Sequence, residues 1–195
     1  MPSSFIKVLL TFTSISPALL LLYIYRVYHE VKHLSIYVKV GSLREIEMGV
    51  ENFLSIHFLL LLFLALVVAA QKIMKVAEAE FPRGRIAVGS IKSADSKFGS
   101  VITSLLFVLL KLISPDLPDW IILICFVLLG LALATISTTS FHYNVVLRVF
   151  FGYRHYEIAT QGGVTYLMLS RTELINPIDI SEYVQLADHM MVNIS

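Results

Sequence analysis

The chain has 195 residues, 57% of them hydrophobic and only 15% charged, with a mean hydropathy of +0.79. Soluble domains carry about 25% charged residues, so this balance excludes an ordinary soluble domain and marks an integral membrane protein. The net charge of +1 identifies no partner, because the charges are segregated by region, and a single cysteine, Cys125, excludes a disulfide framework or a Cys-based metal site.

The first apolar segment covers 5–25. Its one charge, Lys7, is near enough to the end to snorkel. Pro17 falls in mid-segment and predicts a kink. No small-residue cleavage pattern follows Leu22, so the segment reads as an uncleaved span with Tyr23, Tyr25 and Tyr28 as its aromatic belt. The loop 26–52 carries four basic and four acidic residues. Within it 33–40 suggests a short strand, and 42–51 a helix opened by the capping pattern Ser42-Leu43-Arg44-Glu45. The second span, 53–70, is nearly pure Leu, Phe and Val, interrupted by His57. Ala65 and Ala69 stand at the small-xxx-small spacing that allows close helix packing.

The second loop, 71–97, holds six basic residues against Glu78, Glu80 and Asp95. Phe81-Pro82-Arg83-Gly84 punctuates it, predicting a helical extension, a turn and a mostly irregular return. The third span, 98–113, is short and ends near Lys111. A tight turn, 114–119, leads to the fourth span, 120–141, where Gly130 and Ala134 repeat the small-residue spacing. That span opens a run of twenty-eight residues, 120–147, without Asp, Glu, Lys or Arg. An apolar helix needs about 20 residues to cross a bilayer.

From Gly152 onward the sequence belongs to water. The strand formers 153–158 and 164–169 flank Gln161-Gly162-Gly163, which supplies the positive φ that a short hairpin loop requires. Asn176-Pro177 breaks the chain, 178–187 suggests a short helix and 189–194 a third strand. A module this small cannot hold a large core alone, and it must lean on the second loop, on sister tails or on a partner. The expected fold class is therefore an all-α membrane protein, four transmembrane helices in 1–147, followed by a small cytosolic α+β hairpin module in 148–195.

Cytoplasmic loops carry the excess of Lys and Arg. With four spans, one side holds Lys7, Lys72, Lys75, Arg83, Arg85, Lys92, Lys97, Arg148, Arg154 and Arg171, and the other only Arg26, Lys32, Lys39 and Arg44. The asymmetry places both termini in the cytoplasm of a multi-pass inner-membrane protein.

His29-Glu30-Val31-Lys32-His33 fits the H-E-x-x-H zinc pattern, and Asn176-Pro177-Ile178-Asp179 is reminiscent of an intramembrane metalloprotease motif. Lys32 inside the motif, its position outside a span, and the stranding of Asp179 across the membrane argue against a zinc site. His57 could serve as an intramembrane ligand or proton carrier, but near the interface a satisfied hydrogen bond is the ordinary reading. No catalytic, metal or cofactor constellation emerges. The tail from Arg148 has three basic and five acidic residues, so it binds no nucleic acid by itself. A small channel or transporter remains an alternative, though the spans offer few polar residues for a pore. Narrow sheets leave an edge that invites another chain, and Tyr and Arg dominate many interfaces. Tyr153, Arg154, Tyr156 and Arg171 are therefore the candidate partner-binding residues, while Ala65, Ala69, Gly130 and Ala134 are the candidate helix-packing residues.

The segment Phe150-Phe151-Gly152-Tyr153-Arg154-His155-Tyr156-Glu157-Ile158, the Gly-Gly turn, and Tyr166-Leu167-Met168-Leu169-Ser170-Arg171 resemble the membrane subunit of the bacterial Kiwa anti-phage defence system, the KwaA family. The resemblance implies a homo-oligomeric inner-membrane sensor of infection, a tetramer among the options. Its implied partner is a cytoplasmic, DNA-binding effector of the KwaB type. It carries over no catalytic motif and no cofactor.

Overall fold

Pro17 divides the first apolar segment in two. The computed structural model describes residues 4–30, 43–94, 99–114, 116–136, 144–180, 182–187 and 189–194. In it α1 (Ser4–Ile15) stops just before α2 (Pro17–Glu30) begins. Proline has no N–H and crowds the carbonyl four residues back, here that of Thr13. The Ser16 hydroxyl donates to that carbonyl at 2.8 Å, so the break leaves no bare acceptor. Ser104 does the same for the carbonyl of Ile15 at 3.3 Å from the neighbouring helix α4 (Gly99–Ile113).

The expected capped helix at 42–51 and the second span are one continuous helix, α3 (Leu43–Glu80), of 38 residues. With no Gly or Pro between Val50 and Glu80 to stop it, it runs about 57 Å. After α4 comes α5 (Asp119–Ile136), and these two form a hairpin against α1 and α2. Phe12 of α1 lies so close to Gly130 of α5 that a Cβ there would overlap its ring. The apolar layer is centred on Leu19, Phe63, Phe107 and Phe126.

The remaining chain builds one six-stranded sheet. Its strands are β1 (Arg83–Gly84), β2 (Val88–Ser93), β3 (Arg154–Thr160), β4 (Thr165–Ser170), β5 (Tyr183–Ala187) and β6 (Met190–Asn193), in the order β1-β5-β6-β4-β3-β2. All neighbours are antiparallel except β4 and β6. β1 and β2 occupy opposite edges, yet only three residues separate them. A flat sheet would put those edges about 24 Å apart, whereas four Cα steps reach at most about 14 Å. The sheet must therefore curl until its edges nearly meet. Its concave side holds Tyr156, Ile158, Met168 and Met191, filled by Leu174 and Ile180 of the returning loop and flanked by Ile86 of the β1–β2 link. The other side, through Tyr153, Leu169, Val184, Leu186 and Val192, packs on Ile6 and Leu10 of α1 and on Ala70, Met74 and Ala77 of α3.

Three expectations are corrected here. The protein is not an all-α bundle with a hairpin appendage: it is about 58% helical with a six-stranded mixed sheet, and the return of the second loop, expected to be mostly irregular, supplies both edge strands. Among the described residues two helical segments, Phe5–Tyr28 and His57–Glu80, are long and apolar enough to cross a membrane, not four. The 15 residues of α4 span only about 22 Å, against a hydrocarbon core of about 30 Å, and the apolar part of α5 among the described residues is Trp120–Leu133. Finally, 178–187 is no helix. A single 3-10 turn at Pro177–Asp179 precedes β5, whose Val184 and Leu186 point one way into the core. The strand expected at 33–40 lies outside the described residues.

Candidate functional site

The functional geometry gathers where helices and sheet meet. α6 (Val145–Phe151) ends on Gly152, whose φ of 73° is the left-handed conformation glycine adopts without strain. The turn swings Tyr153 inward, where it is 1% exposed. Its phenol donates a short hydrogen bond to the Glu78 carboxylate near the end of α3. The Arg171 guanidinium lies 4.8 Å from the ring centroid of Tyr153 and 3.7 Å from the same carboxylate. Burial, then the hydrogen bond and charge of Glu78, push the phenol's pKa well above its ordinary value, and Arg171 only partly offsets this.

A second tie runs to α1. Asn144 caps α6 by accepting the Leu147 N–H at 3.2 Å. Its amide donates to the Leu10 carbonyl at 3.2 Å and to the Thr13 hydroxyl at 2.9 Å. Its backbone N–H reaches Nε2 of His155, a fully buried residue of β3, at 3.3 Å. One residue, through its side chain and its backbone N–H, thus joins α1, α6 and the sheet.

Beside these ties opens a cleft of about 430 Å³, lined among others by Ser93, Arg148, Arg154, Tyr156 and Glu173. Arg154 pairs with Glu173 at 2.6 Å. That hydrogen bond first, and one with Tyr156 second, raise the pKa of the guanidinium above its ordinary value. The Tyr156 hydroxyl accepts the Leu174 N–H at 3.2 Å, pinning the returning loop over the sheet.

Of the candidate partner-binding residues, Tyr153 and Tyr156 are buried on opposite faces of the sheet, while Arg154 is half-buried and Arg171 exposed. Ala65 is exposed on α3 and Ala69 half-buried, whereas Ala70 and Ala77 face the sheet. Gly130 lies at the α1–α5 contact, and Ala134 falls within α5. Tyr23 and Nδ1 of His57 share a hydrogen bond of 2.9 Å, and Lys111 donates to the Leu117 carbonyl at 2.6 Å. His29 and Glu30 close α2, and His33 lies outside the described residues. Among the described residues no group of His, Cys, Asp and Glu is arranged to hold a metal.

Sequence reasoning missed Glu78, Asn144, His155 and Glu173. Asn144 alone carried a legible signal, an Asn directly before an apolar helix. The others depend on partners in other elements, from 11 positions away for His155 to 75 for Glu78.

The class defined by this geometry is a small protein of apolar helices, with two helical segments among the described residues long enough to cross a membrane, bonded at one end to a curled mixed sheet. Within that class the chain belongs to the KwaA family: the family described as "Anti-phage protein KwaA" matches residues 6–192, nearly the whole chain. It is an anti-phage defence protein. Neither a curated protein nor a solved structure matches it.

Proposed function

We propose that this KwaA-family protein is a non-enzymatic sensor and anchor of the bacterial inner membrane, which responds to infection through its helices and controls a cytoplasmic DNA-binding effector of the KwaB type through its sheet. The observation that carries this reading is the construction of the sheet. Its strands come from both sides of the α4–α5 hairpin and are tied to α1 by way of His155 and Asn144, and to α3 through Tyr153, the residue before β3. A shift of either helix must therefore move the sheet, because packed elements transmit displacement instead of absorbing it.

The same geometry supports an orientation. The N-terminal turns of α1, the last turns of α3 and every strand sit at one end of the apolar layer. The chain leaves the sheet along α1 and α2 and returns along α3, so two crossings suffice to keep both termini on one side. The basic residues of that end support a cytoplasmic side for it. The exposed side of α3 around Leu61, Leu64, Ala65 and Val68 is the surface proposed to pair with further copies of the chain, with Ala65 admitting the close approach.

Arg171 and Ile178, the latter 87% exposed, are the proposed contacts for the effector. The test is co-purification of the effector with the full chain from membranes. Arg171→Ala and Ile178→Asp should each reduce the effector retained at least tenfold while leaving the amount of chain in the membrane unchanged. Undiminished retention by the double variant would refute this docking surface.

A further inference from the structure

The cleft at the sheet's edge is better built for an anion than for the water that would otherwise fill it. Two arginines, Arg148 and Arg154, line it together with one acidic residue, Glu173. Tyr156 and Ser93, both hydroxyl-bearing, line it as well. The Tyr156 oxygen already accepts the Leu174 N–H, so its own proton can be donated into the cleft. Planar guanidiniums match phosphate oxygens in paired hydrogen bonds.

Its place in the chain identifies the ligand's source. At Ser93 the chain leaves β2, and α4 begins only six residues later, at Gly99. On the other wall α6 passes through Gly152 into β3. The cleft therefore lies at the seam where the chain passes between sheet and apolar helices. Next to Arg148 on α6, Val149 and Phe150 are 67% and 53% exposed, and the Phe150 ring sits 6.0 Å from Phe63 of α3. An exposed apolar pair beside an arginine at such a seam is the pattern of a helix lying in the headgroup region, its apolar side toward acyl chains and its cation toward phosphate.

We propose that this cleft binds the phosphate of an anionic phospholipid headgroup, with Arg148 and Arg154 as ligands and Glu173 as an internal competitor. This rests on the membrane reading above. Glu173, 63% exposed, occupies Arg154 when no phosphate is present and must yield when one enters. Lipid binding is thereby coupled to the returning loop that carries Arg171 and Ile178.

The test uses the full-length chain in neutral detergent, with phosphatidylglycerol added to mixed micelles, inorganic phosphate as the soluble arm, and the lipid bound read by native mass spectrometry. Phosphatidylglycerol should bind, Arg148→Gln and Arg154→Gln should each weaken it about tenfold, and Glu173→Gln should tighten it severalfold. The gain from Glu173→Gln cannot come from misfolding, so it separates a site from general damage. Equal affinity for inorganic phosphate would overturn the lipid assignment in favour of a soluble phosphate. Binding indifferent to all three substitutions, in a chain that needs detergent for extraction, would overturn the site alone. A chain recovered without detergent would overturn the membrane reading, and this site with it.

Discussion

The phenol of Tyr153 donates its hydrogen bond to the carboxylate of Glu78, 75 positions away, and so fastens the first strand of the tail to the end of the longest helix. Removing only the hydroxyl, in Tyr153→Phe, should cost about 2 kcal/mol, the value of a hydrogen bond to a charged acceptor. Thermal unfolding in micelles measures it. A cycle with Glu78→Gln should return a coupling of about 1 kcal/mol or more. Additive effects would mean that the two groups do not hold each other.

The same bond sets an alkaline limit. The folded phenol ionises well above its ordinary value of 10.0, so folded and unfolded chains are both neutral at Tyr153 below that pH. There its contribution is constant. Above pH 10 the unfolded chain releases the proton and the folded one keeps it, so stability falls as pH rises toward the folded value. Tyr153→Phe should flatten that decline. An unchanged slope between pH 10 and 11 would show that other groups cause it.

Asn144→Ala removes a helix cap worth about 1 kcal/mol and two hydrogen bonds to α1 worth about 1 kcal/mol each. The expected loss is about 3 kcal/mol. Asn144→Asp keeps the cap but cannot donate to the Leu10 carbonyl, and it should be no better tolerated. Full stability of the aspartate variant would reduce Asn144 to a cap.

Ala65 is exposed within the chain, so Ala65→Leu should leave unfolding within about 0.5 kcal/mol of the parent. If α3 pairs with another copy through this face, the longer side chain blocks the approach and the mass in detergent should drop. An unchanged mass would clear Ala65 of any role in assembly.

Orientation is checked with thiol labelling in a Cys125→Ser background. Arg83→Cys on β1 should stay unlabelled in intact cells and react once the membrane is opened. Asp116→Cys, in the turn between α4 and α5, should react from outside if that hairpin reaches the far face. Labelling of position 83 from outside would reverse the topology.

The tail truncation that a separate hairpin module would invite, removal after Leu147, is not a clean test of docking. It would strip β3 to β6 from β1 and β2 and bare the sheet-facing residues Ala70, Met74 and Ala77. Point changes at exposed residues keep the core intact.

What the sequence determined by itself was everything with a local cause. The apolar runs, the break at Pro17 and the hairpin over β3 and β4 follow from composition, a missing N–H and a glycine at φ 81°. So does the alternation that sends Tyr153 and Tyr156 to opposite faces. The tertiary structure decided the rest. β1 and β2 are short, glycine-bearing edge strands whose partners lie some seventy to one hundred positions on, and no periodicity within them announces the pairing. In β5, Val184 and Leu186 fit a strand because β1 and β6 flank it, a fact absent from its own residues. The site followed the same rule: arginines and tyrosines were visible in sequence, but their roles were not. Glu78, Asn144 and Glu173 set those roles, because a hydrogen bond or ion pair depends on separation in space, and the fold alone brings those residues within about 3 Å of their partners.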